Sequence, residues 1–387
     1  MPKNIVICCD GTGNEISQNI SNVLKLYRIV HKNASQVVFY DPGVGTLARP
    51  DPWTKFQQDT KAVLGLTTGY GLDDNVLAAY EFLIDHYHHG DAVYLFGFSR
   101  GAHTVRVLAG FLHMMGLLAP EQKILAGYAL TAYKQTGASG EFEDAWQFAR
   151  IVSSTWLTIK FIGVWDTVAS LIVPRPDRFY TFSFLALPYT RKNPSVQIFR
   201  QAIAIDERRR MFRLGRWDDP QEFVLNRFSQ PRQSVPQDVK QVWFAGSHSD
   251  VGGGYPEKES GLSKFPLLWM IDEATANGLA VNTATVNHLA KGIPRAASRF
   301  TYVPPDPQGD LHDSMTSGWR LLEWLPKADK YKEWMARKSL LGHYIPAAEP
   351  RPIPDDALVH ESVVQRINQV STYRPVNLPA RYQVVPS

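Results

Sequence analysis

Short apolar runs recur along this chain, separated by segments whose apolar positions fall three and four apart. Residues 4–9 read as a buried strand, and 22–30 as a helix with Val23, Leu24, Tyr27 and Val30 on one face. Residues 36–40 form a second strand, 72–86 a helix and 92–96 a third strand. Helical spacing follows over 104–115, 121–133 and 142–151, before another strand at 158–165. A helical pattern resumes over 196–212, then a strand at 241–245 and a helix at 262–277. This rhythm of strand and helix predicts an α/β fold: a mostly parallel sheet with helices on both faces. Two stretches break the rhythm. Residues 169–193 lose every period and concentrate Pro, Phe, Tyr, Leu and Ile, as an inserted cap over one end of the sheet does. Residues 304–387 are rich in Pro and Trp with only short helices, so they read as a segment wrapped on the same domain that residues 1–303 build.

Composition narrows the class. A hydrophobic share of 44% with 20% charged residues describes a soluble globular chain. No apolar run approaches the ~20 residues of a membrane helix. The net charge of +4 is modest, and the basic residues are scattered apart from the runs at 208–210 and 213–216. Nucleic acid is therefore not an expected partner, whereas a transient contact with an anionic membrane surface is compatible. Cys8 and Cys9 are adjacent in a strand and point to opposite faces, so no disulfide is expected and a reducing compartment follows. The start of the chain runs straight into a core strand with no apolar signal region. The expected location is the cytoplasm, or export by a route without an N-terminal signal peptide.

Candidate chemistry centres on Gly97-Phe98-Ser99-Arg100-Gly101, which lies between a strand and a helix. In that context Gly-x-Ser-x-Gly is a nucleophile elbow: Ser99 occupies a sharp turn, and Gly97 and Gly101 let the chain double back. The helix start offers N–H groups and a dipole to a developing oxyanion. A serine nucleophile needs a base, and the base an orienting acid, in the order Ser, acid, His. Asp166 directly follows the strand at 158–165, and His248 follows the strand at 241–245 within a Gly-rich loop. Oxyanion donors are expected from the backbone of Arg100 and from the loop after the first strand, with Thr12 favoured and Gly11 next. Asp10, His103 and Asp250 are expected to line the site, Asp250 being the alternative acid. Phe182 and Phe184 belong to the cap. His312 and His360 read as polar caps of short helices. Asp10, Asp41 and Asp250 could meet around an ion, but no HExxH, EF-hand or Cys/His cluster supports a metal, and no cofactor is expected. A P-loop lysine is absent after Asp10-Gly11-Thr12, which removes the phosphate-handling reading.

The linked motifs Cys9-Asp10-Gly11-Thr12-Gly13-Asn14, Tyr40-Asp41-Pro42-Gly43-Val44-Gly45, the elbow, Gly163-Val164-Trp165-Asp166-Thr167-Val168, Ala204-Ile205-Asp206-Glu207-Arg208-Arg209 and His248-Ser249-Asp250-Val251-Gly252-Gly253-Gly254-Tyr255 occur in that order. Together they resemble an α/β-hydrolase domain family first catalogued as a domain of unknown function. That family is similar to the catalytic domain of type VI secretion phospholipase effectors of the first class. The resemblance implies an α/β-hydrolase fold, Ser99, Asp166 and His248 as the triad, and a lipid or phospholipid ester as substrate. A carboxylesterase acting on small soluble esters is the alternative within the class. A catalytically silent interaction protein with the same fold is the alternative outside it.

Overall fold

The computed structural model describes residues 2–11, 19–43, 71–139, 142–152, 154–168, 172–174, 182–184, 187–210, 212–231, 233–296, 298–329 and 332–386. Strands with apolar side chains on both faces need cover on both faces, and they occupy the middle of one sheet. The sheet contains β1 (Asn4–Cys9), β2 (Gln36–Asp41), β3 (Ala92–Phe98), β4 (Ile159–Trp165), β5 (Val196–Ala204), β6 (Asp238–Phe244), β7 (Ala357–His360) and β8 (Tyr382–Val385). The order across the sheet is β8-β7-β6-β5-β4-β3-β1-β2, and every neighbouring pair is parallel.

Each face buries its own set of helices. Helices α2 (Leu72–His86), α3 (Arg100–Met115) and α4 (Ala126–Ser139) cover one side, packing Val76, Leu83, Val105, Leu108 and Phe111 against Ile5, Ile7 and Cys9. On the other side α1 (Asn22–Ile29) and α5 (Lys264–Ala276) set Val23, Leu26, Leu267 and Ile271 against Val6 and Cys8. The two cysteines thus enter opposite cores, and both are free thiols. No helix among the described residues is long and apolar enough to cross a membrane.

Three expectations are corrected here. Residues 196–204 form the central strand β5, not a helix. The side chains Arg200 and Gln201, which resemble the polar stripe of a helix, are buried in the sheet. There Arg200 pairs with Glu273 and Asp238, and Gln201 Nε2 donates to Gly215 O. The region 169–193 is not without period, because Ile172–Pro174 and Phe182–Phe184 pair antiparallel as a small hairpin. Its last part belongs to the main body: Leu187 is in the core, Tyr133 donates to Pro188 O at 2.7 Å, and Asn193 donates to Ala109 O at 3.0 Å. The third correction concerns 304–387, which supplies β7 and β8 as well as short helices. Helix α6 (Glu361–Gln369) lies between those strands, and its Val363 shares a third cluster with Trp243 and Tyr373.

All eight strands run the same way, so the loops after β1, β3, β4, β5 and β6 gather at one end of the sheet, where ligands of open α/β sheets bind.

Candidate active site

Strand β3 ends at Phe98 and α3 begins at Arg100, leaving Ser99 to reverse the chain direction. Its φ of 55° and ψ of −119° are costly for a residue with a Cβ, on the order of 1–3 kcal/mol. The surrounding structure holds it there. Ser99 N–H donates to Trp165 O at 3.1 Å, and Val168 N–H donates to Ser99 O at 3.4 Å, tying the turn to the end of β4. Glycine is required on both flanks. A Cβ on Gly101 would stand 2.1 Å from Cys9 O, and one on Gly97 would stand 2.5 Å from Gly101 O. The first-strand loop passes the same spot, since a Cβ on Gly11 would lie 3.2 Å from the Ser99 Cβ.

Asp166 follows β4 with a φ of 39° and is fully buried. Its Oδ1 accepts the Ala204 N–H at 3.0 Å, and its Oδ2 meets His248 Nδ1 at 2.5 Å. His248 opens a short helix, His248–Gly252, just past β6. Its ring lies between Phe98, at 4.6 Å between centroids, and the edge-on Phe212 at 4.9 Å. The His248 backbone N–H donates to Glu207 Oε2 at 3.2 Å. With Nδ1 on the carboxylate, Nε2 is the acceptor nitrogen of the neutral ring, and Nε2 is buried with no hydrogen-bond partner among the described residues. Burial pushes the His248 pKa below its usual value despite the opposing pull of Asp166. Burial alone would raise the Asp166 carboxyl, but Arg351 and then His248 hold it well below the usual range. The resting pair is a carboxylate and a neutral imidazole.

Sequence reasoning missed Arg351. Its Nη1 donates to Asp166 Oδ1 at 2.6 Å and its Nη2 to Asp166 Oδ2 at 3.1 Å, with both residues buried. The faint signal is a lone Arg between prolines in Glu349-Pro350-Arg351-Pro352, a rigid stretch that can carry a long side chain inward.

The remaining candidates fall as follows. Arg100 is the first residue of α3, whose leading N–H groups have no intrahelical acceptor. The Gly11 N–H donates to Asp10 Oδ1 at 2.7 Å, which commits it elsewhere. Thr12 lies outside the described residues, as do the side chains of Phe182 and Phe184. Asp10 accepts from Ser21 Oγ at 2.5 Å and Tyr40 Oη at 2.9 Å, fixing the loop that passes Ser99. His103 is buried in the first turn of α3. Burial, followed by the charge of Arg106, pushes its pKa down to about 3, so it is a neutral packing residue. Asp250 points away from His248. Its carboxylate takes Ser247 N–H at 2.9 Å and His312 Nδ1 at 2.7 Å. His312 is therefore no helix cap: it pairs with Asp250, and Tyr255 stacks on its ring at 3.6 Å. His360 does cap α6, accepting the Ser362 N–H at 3.2 Å. Among the described residues no group of three or more His, Cys, Asp or Glu is arranged to hold a metal ion.

Comparison with known proteins adds a family. The family model described as "T6SS, Phospholipase effector Tle1-like, catalytic domain" matches residues 3–273. The uncharacterized protein YEL023C of Saccharomyces cerevisiae is 30% identical over 226 residues, which are 54% of this chain and 32% of that protein. An uncharacterized protein from Pseudomonas aeruginosa, known from a crystal structure, aligns with a TM-score of 0.38 at 20% identity over 73% of this chain and 46% of that one. The Tle1 effector bound to the VgrG spike of the type 6 secretion system aligns with a TM-score of 0.32 at 17% identity, over 68% and 53% of the two chains. This chain thus spans about a third of the yeast relative's length and about half of the two solved chains.

Proposed function

The chain belongs to the Tle1-like catalytic-domain family of type VI secretion phospholipase effectors, and on that premise we propose that it is a serine hydrolase of carboxylic esters, acting on lipid esters through Ser99, His248 and Asp166. The observation that carries the reading is the Asp166–His248 pair. It leaves Nε2 buried, with no partner among the described residues, and the ring against Phe98, the residue that leads into the Ser99 elbow. Ser99 Oγ attacks the ester carbonyl as Nε2 takes its proton, giving a tetrahedral oxyanion and an imidazolium. The imidazolium returns the proton to the departing alcohol as the ester C–O bond breaks. A water molecule then repeats the cycle on the acyl-enzyme and frees Ser99. Asp166 holds the imidazole in the tautomer that keeps Nε2 basic, and its charge stabilises the imidazolium. The Arg100 N–H at the helix start is assigned as an oxyanion donor, in keeping with its place after the nucleophile.

Fluorophosphonate labelling tests the class, because only an activated serine is phosphonylated. The expected result is a label on Ser99; an unlabelled protein would support the silent interaction module. A panel of p-nitrophenyl esters beside phospholipid vesicles then separates the substrates. The lipid reading expects longer acyl chains to be preferred and fatty acid to be released from vesicles. A best activity on acetyl ester with no vesicle hydrolysis would favour the soluble carboxylesterase.

The hairpin of Ile172–Pro174 and Phe182–Phe184 follows Asp166 in the chain, and we assign it as the cover that sorts acyl chains; the rest of 169–186 lies outside the described residues. Each CH₂ buried there contributes about 0.8 kcal/mol, roughly fourfold in kcat/KM per added carbon. Phe182→Ser with Phe184→Ser is expected to flatten the chain-length preference and leave acetyl-ester turnover nearly unchanged. Equal loss on both substrates would show the segment to be part of the core instead.

A further inference from the structure

We propose that Arg351 is a positioning residue for the reaction: its guanidinium locks the Asp166 carboxylate onto His248 and sets the pH at which that imidazole takes up a proton. The inference rests on the serine-hydrolase reading above and adds a residue that lies beyond the family-matched part of the chain, residues 3–273.

The geometry is that of a fork on a carboxylate. Nη1 meets Oδ1 at 2.6 Å and Nη2 meets Oδ2 at 3.1 Å, while Ala204 N–H holds Oδ1 and His248 Nδ1 holds Oδ2. Each oxygen therefore has two partners, and the carboxylate cannot rotate without breaking several of these contacts. The guanidinium is itself anchored. Nη1 also reaches Ala204 O at 3.1 Å, and Nη2 reaches Phe212 O at 2.8 Å. Asn377 Nδ2 donates to both Arg351 O and Ile205 O at 3.0 Å, fixing the backbone behind it. A rigid planar donor of this kind confers orientation that a flexible ammonium does not.

The second role is electrostatic. The charged groups facing His248 are Asp166 from the end of β4, Glu207 and Arg209 from the loop after β5, and Arg351. Asp250, on the same short helix as His248, is turned to His312 instead. Glu207 is matched by Arg209 at 2.8 Å, and Asp166 by Arg351 at 2.6 Å, so two charges of each sign surround the imidazole. Removing Arg351 leaves one negative charge in excess, which favours the imidazolium. One unit charge lost from such a partly screened surrounding moves a titration of this kind by roughly one pH unit. Arg351 thus lets Asp166 act as an orienting acid while keeping the imidazole unprotonated, and so able to accept the serine proton, further into the acid range.

The test is the pH profile of kcat/KM on one p-nitrophenyl ester for wild type, Arg351→Met and Arg351→Lys, with melting temperatures measured alongside. In Arg351→Met the acid limb is expected to move up by about one pH unit and kcat to fall roughly 10- to 100-fold, with KM held. In Arg351→Lys, which keeps the charge and loses the fork, the limb stays near its wild-type position while kcat still falls. Should the Met variant fail to fold, the Lys variant decides: a wild-type kcat overturns the inference, and a reduced kcat with unmoved KM and acid limb supports it. A folded Met variant with an unmoved limb, or a loss confined to KM, also overturns it. Fluorophosphonate keeps the two readings distinguishable. A wild-type Ser99 that takes no label sinks the hydrolase reading and this inference together, whereas a labelled wild type with both variants unchanged sinks this inference alone.

Discussion

Ser99→Ala is expected to abolish ester hydrolysis and fluorophosphonate labelling, with a loss on the order of 10⁴- to 10⁶-fold, while the melting temperature stays close to wild type. In the proposed mechanism the Ser99 hydroxyl forms the acyl-enzyme, so its removal takes away the nucleophile. Alanine keeps the Cβ and therefore the same awkward backbone at φ 55°, so no stability is gained. Ser99→Gly provides the contrast: equally inactive, but more stable by about 0.5–1 kcal/mol because glycine adopts positive φ without penalty. His248→Ala should be nearly as damaging to turnover as the serine change, since the two act as one unit. Near-normal hydrolysis by Ser99→Ala would remove the elbow from the mechanism altogether.

The second large effect is Asp166→Asn, which is expected to harm both turnover and stability. The amide can present its NH₂ to Nδ1 and favour the wrong tautomer, and a change of this kind costs about 10⁴ in kcat in the well-studied protease triad. It also removes the carboxylate paired with the buried Arg351 guanidinium, which costs roughly 3–5 kcal/mol. The pH dependence has a definite sign. Asp166 is held below its unfolded pKa of about 3.9, so its contribution to stability is complete above that value and is lost as pH falls toward the depressed folded one. The stability gap between wild type and Asp166→Asn should therefore be constant at neutral pH and narrow below about pH 4 in thermal melts. Asp250→Asn is the control and should keep most of its turnover, because its carboxylate serves Ser247 and His312. If Asp250→Asn proved the more damaging to kcat, the acid role would pass to it.

The features that could be read from the sequence were those written in contiguous residues. The run from Ala92 to Met115 carries strand, turn and helix in one stretch, so the elbow could be placed without knowing what packs on it. The strand ends at Asp166 and His248 were legible for the same reason. Strand β5 was not. Its Arg200 and Gln201 find partners on β6, α5 and the loop at Gly215, and a buried polar pair in a central strand imitates the polar face of a helix. β7 and β8 are four residues each, too short to show a period. The pairing of His312 with Asp250 and of Arg351 with Asp166 depends on tertiary approach alone, across 62 and 185 residues of chain.

That last separation has a consequence for the timing of activity. On a ribosome the elbow, the acid and the histidine all emerge before the guanidinium, which follows His248 by about a hundred residues, or roughly 5–20 s of elongation. Until then Asp166 has only the neutral imidazole and one amide N–H to compensate its burial, so the loops after β4, β5 and β6 have little reason to close over it. The nascent chain can build the middle of its sheet early, yet the Asp166–Arg351 pair forms only once the segment leading into β7 has emerged. On the proposed reading, Ser99 is in this way kept idle while the chain is being made.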